Sequence, residues 1–189
     1  MPKLHDFAPD PDRTVLVVID IQEKLFPAMP AEPLKRSISN ACTLIEGCKV
    51  FNIPILAAEQ YPKGLGPTAP EIRQALGDIL PIQKMAFSCC REPGFRRALD
   101  HMGDKTDIIL SGIETHVCVL QTALDLLLDD YHVFVAADAV CSRTKLNWQT
   151  GVDLMRHAGV TIGTTEIFLF QMLRESGTER FKQISRLVK

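Results

Sequence analysis

Three residues of this sequence stand at the ends of apolar runs, which is where layered α/β proteins place their chemistry. They are Asp20 after TVLVVI, Lys84 closing ILPIQK, and Cys118 shortly after TDIILS. A thiol is a nucleophile, a carboxylate is a base able to take its proton, and an ammonium is the counter-charge that a partly desolvated carboxylate needs. Each type also has a commoner use. Aspartate after a strand usually caps or turns the chain, a lysine among apolar residues can run its stem along the surface with its head in water, and a single cysteine is most often a small buried hydrophobe. Cys118 is set apart by its surroundings. The segment from Gly112 to Val119 reads as strand, turn and helix, with Thr115 as the expected cap and Leu120, Leu124 and Leu127 continuing an apolar face. In the first helical turn, the dipole and free N–H groups favour a thiolate and can also hold an oxyanion.

These residues need a frame. Apolar, β-rich runs recur at Thr14–Ile19, Pro54–Ala58, Ile79–Lys84, Thr106–Ser111, His132–Ala136 and Val160–Gly163. Helical stretches separate them at Pro33–Phe51, Pro70–Leu76, Pro93–Met102, Thr115–Asp129 and Thr144–Ala158, and Glu166–Val188 reads as two further short helices broken around Ser176-Gly177-Thr178. Prolines open Pro33, Pro70 and Pro93, and glycines close Gly103 and Gly159, as helix-end preferences require. Continuous apolar runs suit strands covered on both faces, and right-handed crossovers turn the alternation into a three-layer α/β/α, Rossmann-like fold. The expected sheet has six mainly parallel strands in order 3-2-1-4-5-6, with the ligand beyond the strand C-termini at the point where the order reverses. That order separates the third strand from the first, so Lys84 must reach inward to meet Asp20.

Composition bounds the partners. A chain of 189 residues, 46% hydrophobic and without linker, repeat or compositional break, is expected to be one domain over 1–189. With 21 basic and 23 acidic residues and a formal net charge of -2, no field draws it to nucleic acid or to a membrane surface, which leaves a small-molecule substrate. The first residues lack the apolar core of a signal peptide and no run approaches the roughly 20 apolar residues of a membrane span, so a cytoplasmic protein is expected. The six cysteines form no C-x-x-C pair and no zinc-like cluster with histidine, and in a reducing compartment they stay free.

VVIDIQEKLF and SGIETHVCVLQTALDLL resemble the first-strand and nucleophile motifs of the isochorismatase-like cysteine hydrolases, and the resemblance runs over nearly the whole chain. AAEQYPKGLGPT, QKMAFS, VAADAVCSR and GTTEIFLFQML are most similar to the subgroup called isochorismatase domain-containing proteins. The resemblance implies Cys118 as nucleophile, Asp20 as its base, and Lys84 as the cation that keeps Asp20 ionised and lowers the thiol pKa. It also implies a non-proline cis peptide at Ile113-Glu114 and an oxyanion hole made by the N–H groups of Glu114 and Cys118. Metal-binding members carry an Asp-x-His after the second strand, where this chain has Glu59-Gln60-Tyr61-Pro62, so neither a metal nor a cofactor is expected. Gln22, Phe26, Tyr61 and Phe87 are candidate substrate-binding residues. His116 is expected to point away from the thiol, and Asp138, Arg143 and Glu166 to cap helices or form ion pairs.

The implied reaction is hydrolysis of a small amide-like or related carbonyl compound through a covalent acyl-enzyme. Vinyl ether cleavage of the isochorismate type is the alternative on the same scaffold. A non-catalytic thiol sensor or binding protein is another, with Cys89, Cys90 or Cys141 as redox partners of Cys118. Related proteins form homo-oligomers, and the apolar Ile167, Phe168, Phe170, Met172 and Leu173 point to burial of the C-terminal helices on more than one face.

Overall fold

The computed structural model describes residues 7–189. Along the chain run β1 (Thr14–Ile19), α1 (Ala31–Val50), β2 (Ile55–Gln60), α2 (Pro62–Leu65), α3 (Pro70–Leu76), β3 (Ile82–Lys84), α4 (Pro93–Asp100) and β4 (Asp107–Ile113). A π-turn at Thr115–Val119 leads into α5 (Leu120–Leu128), and β5 (His132–Cys141), α6 (Lys145–Ala158), β6 (Thr161–Gly163), α7 (Thr165–Leu173) and α8 (Glu179–Leu187) follow. The six strands form one sheet in order β3-β2-β1-β4-β5-β6, and every neighbouring pair is parallel.

Both faces of the sheet are covered, which is why its central strands are apolar without a break. In β1, Leu16 and Val18 turn to one side and pack with Leu44 and Ile45 of α1, Ile72 of α3, Phe168 of α7 and Ile184 of α8. Val15, Val17 and Ile19 turn to the other and pack with Phe95 of α4, Leu126 of α5 and Met155 of α6. The strand order reverses between β1 and β4, so a crevice opens beyond their C-terminal ends.

Three boundaries depart from the expected ones in ways that bear on the site. β5 runs to Cys141, because its register shifts between Leu110 and Gly112 of β4 and the chain rejoins the sheet beside Gly112 and Ile113. β3 is only three residues long and begins after Pro81. The residue flanking the nucleophile helix is Glu114, whereas Thr115 is the first residue of the π-turn; its buried hydroxyl makes no hydrogen bond among the described residues, so Thr115 is not a cap. Among the described residues no helix is long and apolar enough to cross a membrane.

Candidate active site

Asp20 leaves β1 in the left-handed conformation, φ 53°, which aspartate tolerates better than most residues. Its carbonyl accepts from Gln22 N at 2.9 Å and its N–H donates to Ala58 O at 3.1 Å, so the chain turns sharply at the strand end. Lys84 closes β3, one strand removed, and reaches across β2. Its ammonium donates to Asp20 Oδ2 at 2.6 Å, Gln60 Oε1 at 2.8 Å, Phe87 O at 3.0 Å and Ala86 O at 3.3 Å. Both side chains of the ion pair are 1% exposed. Desolvation alone would weaken such a pair, and the three added carbonyl-type acceptors offset it.

Cys118 comes from the other half of the sheet and lies in the π-turn, 7% exposed, facing the Asp20 carboxylate. Gly112 makes that approach possible. It has φ 137°, and a Cβ there would stand 2.1 Å from Ile19 O, so only glycine lets the end of β4 close on the end of β1. The peptide between Ile113 and Glu114 is cis. Asp20 Oδ1, the oxygen not used by Lys84, is buried and makes no hydrogen bond of ordinary geometry among the described residues.

Burial pushes the Asp20 carboxyl up, although Lys84 opposes it. Burial would lower Lys84, but the Asp20 carboxylate outweighs it and the ammonium is held above its ordinary value. Burial and then Asp20 push the Cys118 thiol up by more than Lys84 lowers it. Lys84 thus pulls the thiol in the expected direction, but burial and Asp20 outweigh it and the net direction is up.

The remaining candidates divide. Tyr61 and Phe87 are exposed at the strand ends next to Lys84, and Tyr61 borders a shallow depression of about 240 Å³ with Met85 and Lys63 that includes neither Asp20 nor Cys118. Gln22 does not face the cleft. Its amide donates to Gln60 O at 3.1 Å and Gly66 O at 2.5 Å and accepts from Gln60 N at 2.9 Å, so the side chain ties the end of β2 to the turn after α2. Phe26 is partly buried and packs against two hydrophobic clusters. Glu59, at the position of the metal motif, accepts from Thr68 N and Oγ1 at 2.6 and 2.8 Å.

Glu114 is clasped by Arg143, whose Nε donates to Oε2 at 2.8 Å, whose Nη2 donates to Oε1, and whose backbone N–H reaches Oε2 at 3.3 Å. Burial would raise this carboxyl, but Arg143 holds it below the usual range. His116 points away from the thiol, to Ser142 Oγ at 3.0 Å and Asn147 Nδ2 at 3.3 Å. Asp138 caps α7 through Thr165 N at 2.8 Å. Gln60 was not among the residues expected from the sequence. The signal was there, since any lysine reaching from the third strand to the first must pass the end of the second.

The isochorismatase domain pattern matches residues 14–167. The chain belongs to the isochorismatase family. Isochorismatase domain-containing protein 2 of Danio rerio is 38% identical over 175 residues, covering 93% of this chain and 86% of that protein. Among solved structures, the MAR1 ribonuclease from Caenorhabditis elegans superposes with a TM-score of 0.88 at 34% identity, covering 96% of this chain and 92% of that one. YcaC from Escherichia coli, described as an octameric hydrolase of unknown specificity, superposes with a TM-score of 0.89 at 22% identity, covering 99% and 90%. This isochorismatase-family chain thus shares both the sequence pattern and the fold of a hydrolase family.

Proposed function

We propose that the chain is a cysteine-nucleophile hydrolase of small amide-like or related carbonyl compounds, with Asp20, Lys84 and Cys118 as its catalytic groups and residues 1–189 acting as one domain. The carrying observation is the division of labour on Asp20: Oδ2 is locked on Lys84 at 2.6 Å, Oδ1 is buried and makes no hydrogen bond of ordinary geometry among the described residues, and the thiol lies against the same carboxylate. As Cys118 Sγ attacks the carbonyl carbon, its proton passes to Asp20 Oδ1 and the oxyanion settles on the N–H groups of Glu114 and Cys118. Collapse expels the amine, which takes the proton back from Asp20, and leaves an acyl thioester. Water then attacks the thioester, giving its proton to Asp20, and the acid is released with the thiol restored. Lys84 keeps its proton throughout and balances the carboxylate.

The raised thiol favours proton transfer coupled to attack over a standing thiolate, and the raised carboxyl makes Asp20 a stronger base for that transfer than an ordinary carboxylate. The same shifts count against redox sensing. Cys89 is the second thiol within electrostatic reach of Cys118, yet burial pushes it up to about 12, and Cys90, pushed up to about 11, is turned toward Thr122 O. All six cysteines are free, which suits a cytoplasmic setting. The ribonuclease name of the nematode relative raises a second reading, but 21 basic against 23 acidic residues give no cationic field for an RNA backbone.

The test is intact-protein mass spectrometry after incubation with a panel of small amides and ureas and, separately, with RNA fragments, for the native chain and for Cys118→Ala. A transient acyl adduct that requires Cys118 supports the reading. RNA cleavage that survives Cys118→Ala, with no adduct from any amide or urea, would sink it.

A further inference from the structure

The segment that follows β5 grips the nucleophile turn at two points. Arg143 clasps the Glu114 carboxylate with three donors, and Ser142 and Asn147 hold the two ring nitrogens of His116. Gly151 of α6 lies against His116, where an added Cβ would stand 3.1 Å from its Cα, so the helix seats closely on the same turn. The Glu114 side chain is 8% exposed, whereas that of Arg143 is 54% exposed. A clasp built for stability alone gains little from a guanidinium half in water. This one fixes the residue whose backbone opens the turn carrying Cys118.

We infer that Arg143 is a positioning residue for acyl transfer: by holding the Glu114 carboxylate in a bidentate fork, it fixes the direction of the Glu114 N–H toward the oxyanion. The inference rests on the reading of Glu114 and Cys118 as oxyanion donors. Carboxylate and guanidinium match as planar two-pronged partners, and the backbone N–H of Arg143 adds a third restraint, so the Glu114 side chain tethers its own main chain to the segment after β5 and resists movement of the N–H that it carries. A lysine would keep the charge and lose the fork. Arg143 does not touch the thiol; the side chains that act most on Cys118 are Asp20, Lys84 and Cys89.

The test uses two reagents that make different demands on one sulfur. Acylation of Cys118 by p-nitrophenyl acetate passes through a tetrahedral oxyanion, whereas alkylation by iodoacetamide is displacement at a saturated carbon and forms none. Rates of both are measured at one fixed, mildly alkaline pH by peptide-resolved mass spectrometry for the native chain, Arg143→Ala and Arg143→Lys. Loss of the fork is expected to slow acylation by about tenfold or more in Arg143→Ala and by less in Arg143→Lys, with alkylation within about twofold of native in both. Equal slowing of both reagents, or unchanged acylation in Arg143→Ala, would overturn the role of Arg143 while leaving Cys118 as the nucleophile. A native protein whose Cys118 is alkylated but never acylated would overturn the acyl-transfer reading itself, and the role of Arg143 with it.

Discussion

At the scale of the residue, the site is a problem of keeping charges buried without neutralising them. Asp20 and Lys84 are each almost fully enclosed, and the pair stands because the ammonium also meets Gln60 Oε1 and two backbone carbonyls. This network, more than the helix terminus, sets the thiol. A net lowering of the thiol pKa would make Cys118 quick to alkylate near neutral pH, whereas burial and the Asp20 carboxylate favour the protonated thiol. The sign is plain: a thiol whose pKa is raised is almost entirely protonated at neutral pH, and its thiolate fraction keeps growing above the ordinary thiol value. Iodoacetamide labelling of Cys118 should therefore be slow at neutral pH, slower than that of the half-buried Cys42, and still rising beyond pH 9. A labelling curve for Cys118 that has levelled off by pH 8 would show that the thiol is depressed instead. The strand-end places of Asp20 and Lys84 and the place of Cys118 at the start of a helix after β4 were legible, since the first two close apolar runs and the third follows one. The thiol's protonation state was not, since burial is a property of the assembled layers.

At the scale of the element, strand order does the positioning. β1 and β4 are neighbours at the reversal, which sets Asp20 and the nucleophile turn side by side, and the one-strand gap to β3 is bridged by the length of a lysine. The alternation of apolar runs and capped helices made this order readable in advance. What the alternation could not show was Gly112, whose closeness to Ile19 O is long-range, or the extension of β5 to Cys141, which depends on a register shift and brings Ser142 and Arg143 to the rim. Gln22 and Phe26 misled for a related reason: both follow β1, but one braces β2 and the other packs against the core. Gly112→Ala should force β4 away from β1, lowering stability by about 2–4 kcal/mol in urea denaturation and abolishing acylation of Cys118. A variant as stable and as readily acylated as the native chain would mean that the close approach is not required.

At the scale of the whole molecule, the C-terminal helices serve this chain more than a partner. Phe168, Met172 and Leu173 of α7 are buried against the sheet and Phe170 meets Phe181 of α8 edge-on with ring centroids 6.3 Å apart, whereas Ile167 and Phe170 keep an exposed side. Further exposed apolar residues lie at Leu146 and Leu154 on α6 and at Met85 and Phe87 near the site. The exposed Leu146 and Leu154 make α6 the face on which to test self-association. Sedimentation at micromolar concentration should give a mass that is a multiple of 21.0 kDa, falling toward the monomer in Leu154→Glu; a native chain at 21.0 kDa would refute assembly. The two halves of the sheet meet where the Asp20 carboxylate of the first half lies against the Cys118 thiol of the second. The most direct test of that meeting is the burst of p-nitrophenolate on mixing with p-nitrophenyl acetate, followed together with the acetyl mass on Cys118. The native chain should show a burst and a transient acetyl-Cys118, whereas Asp20→Asn, of nearly the same shape but without a base, should acylate about 100-fold more slowly or worse. Acylation of Cys118 at the native rate in folded Asp20→Asn would contradict the assignment of Asp20 as the base.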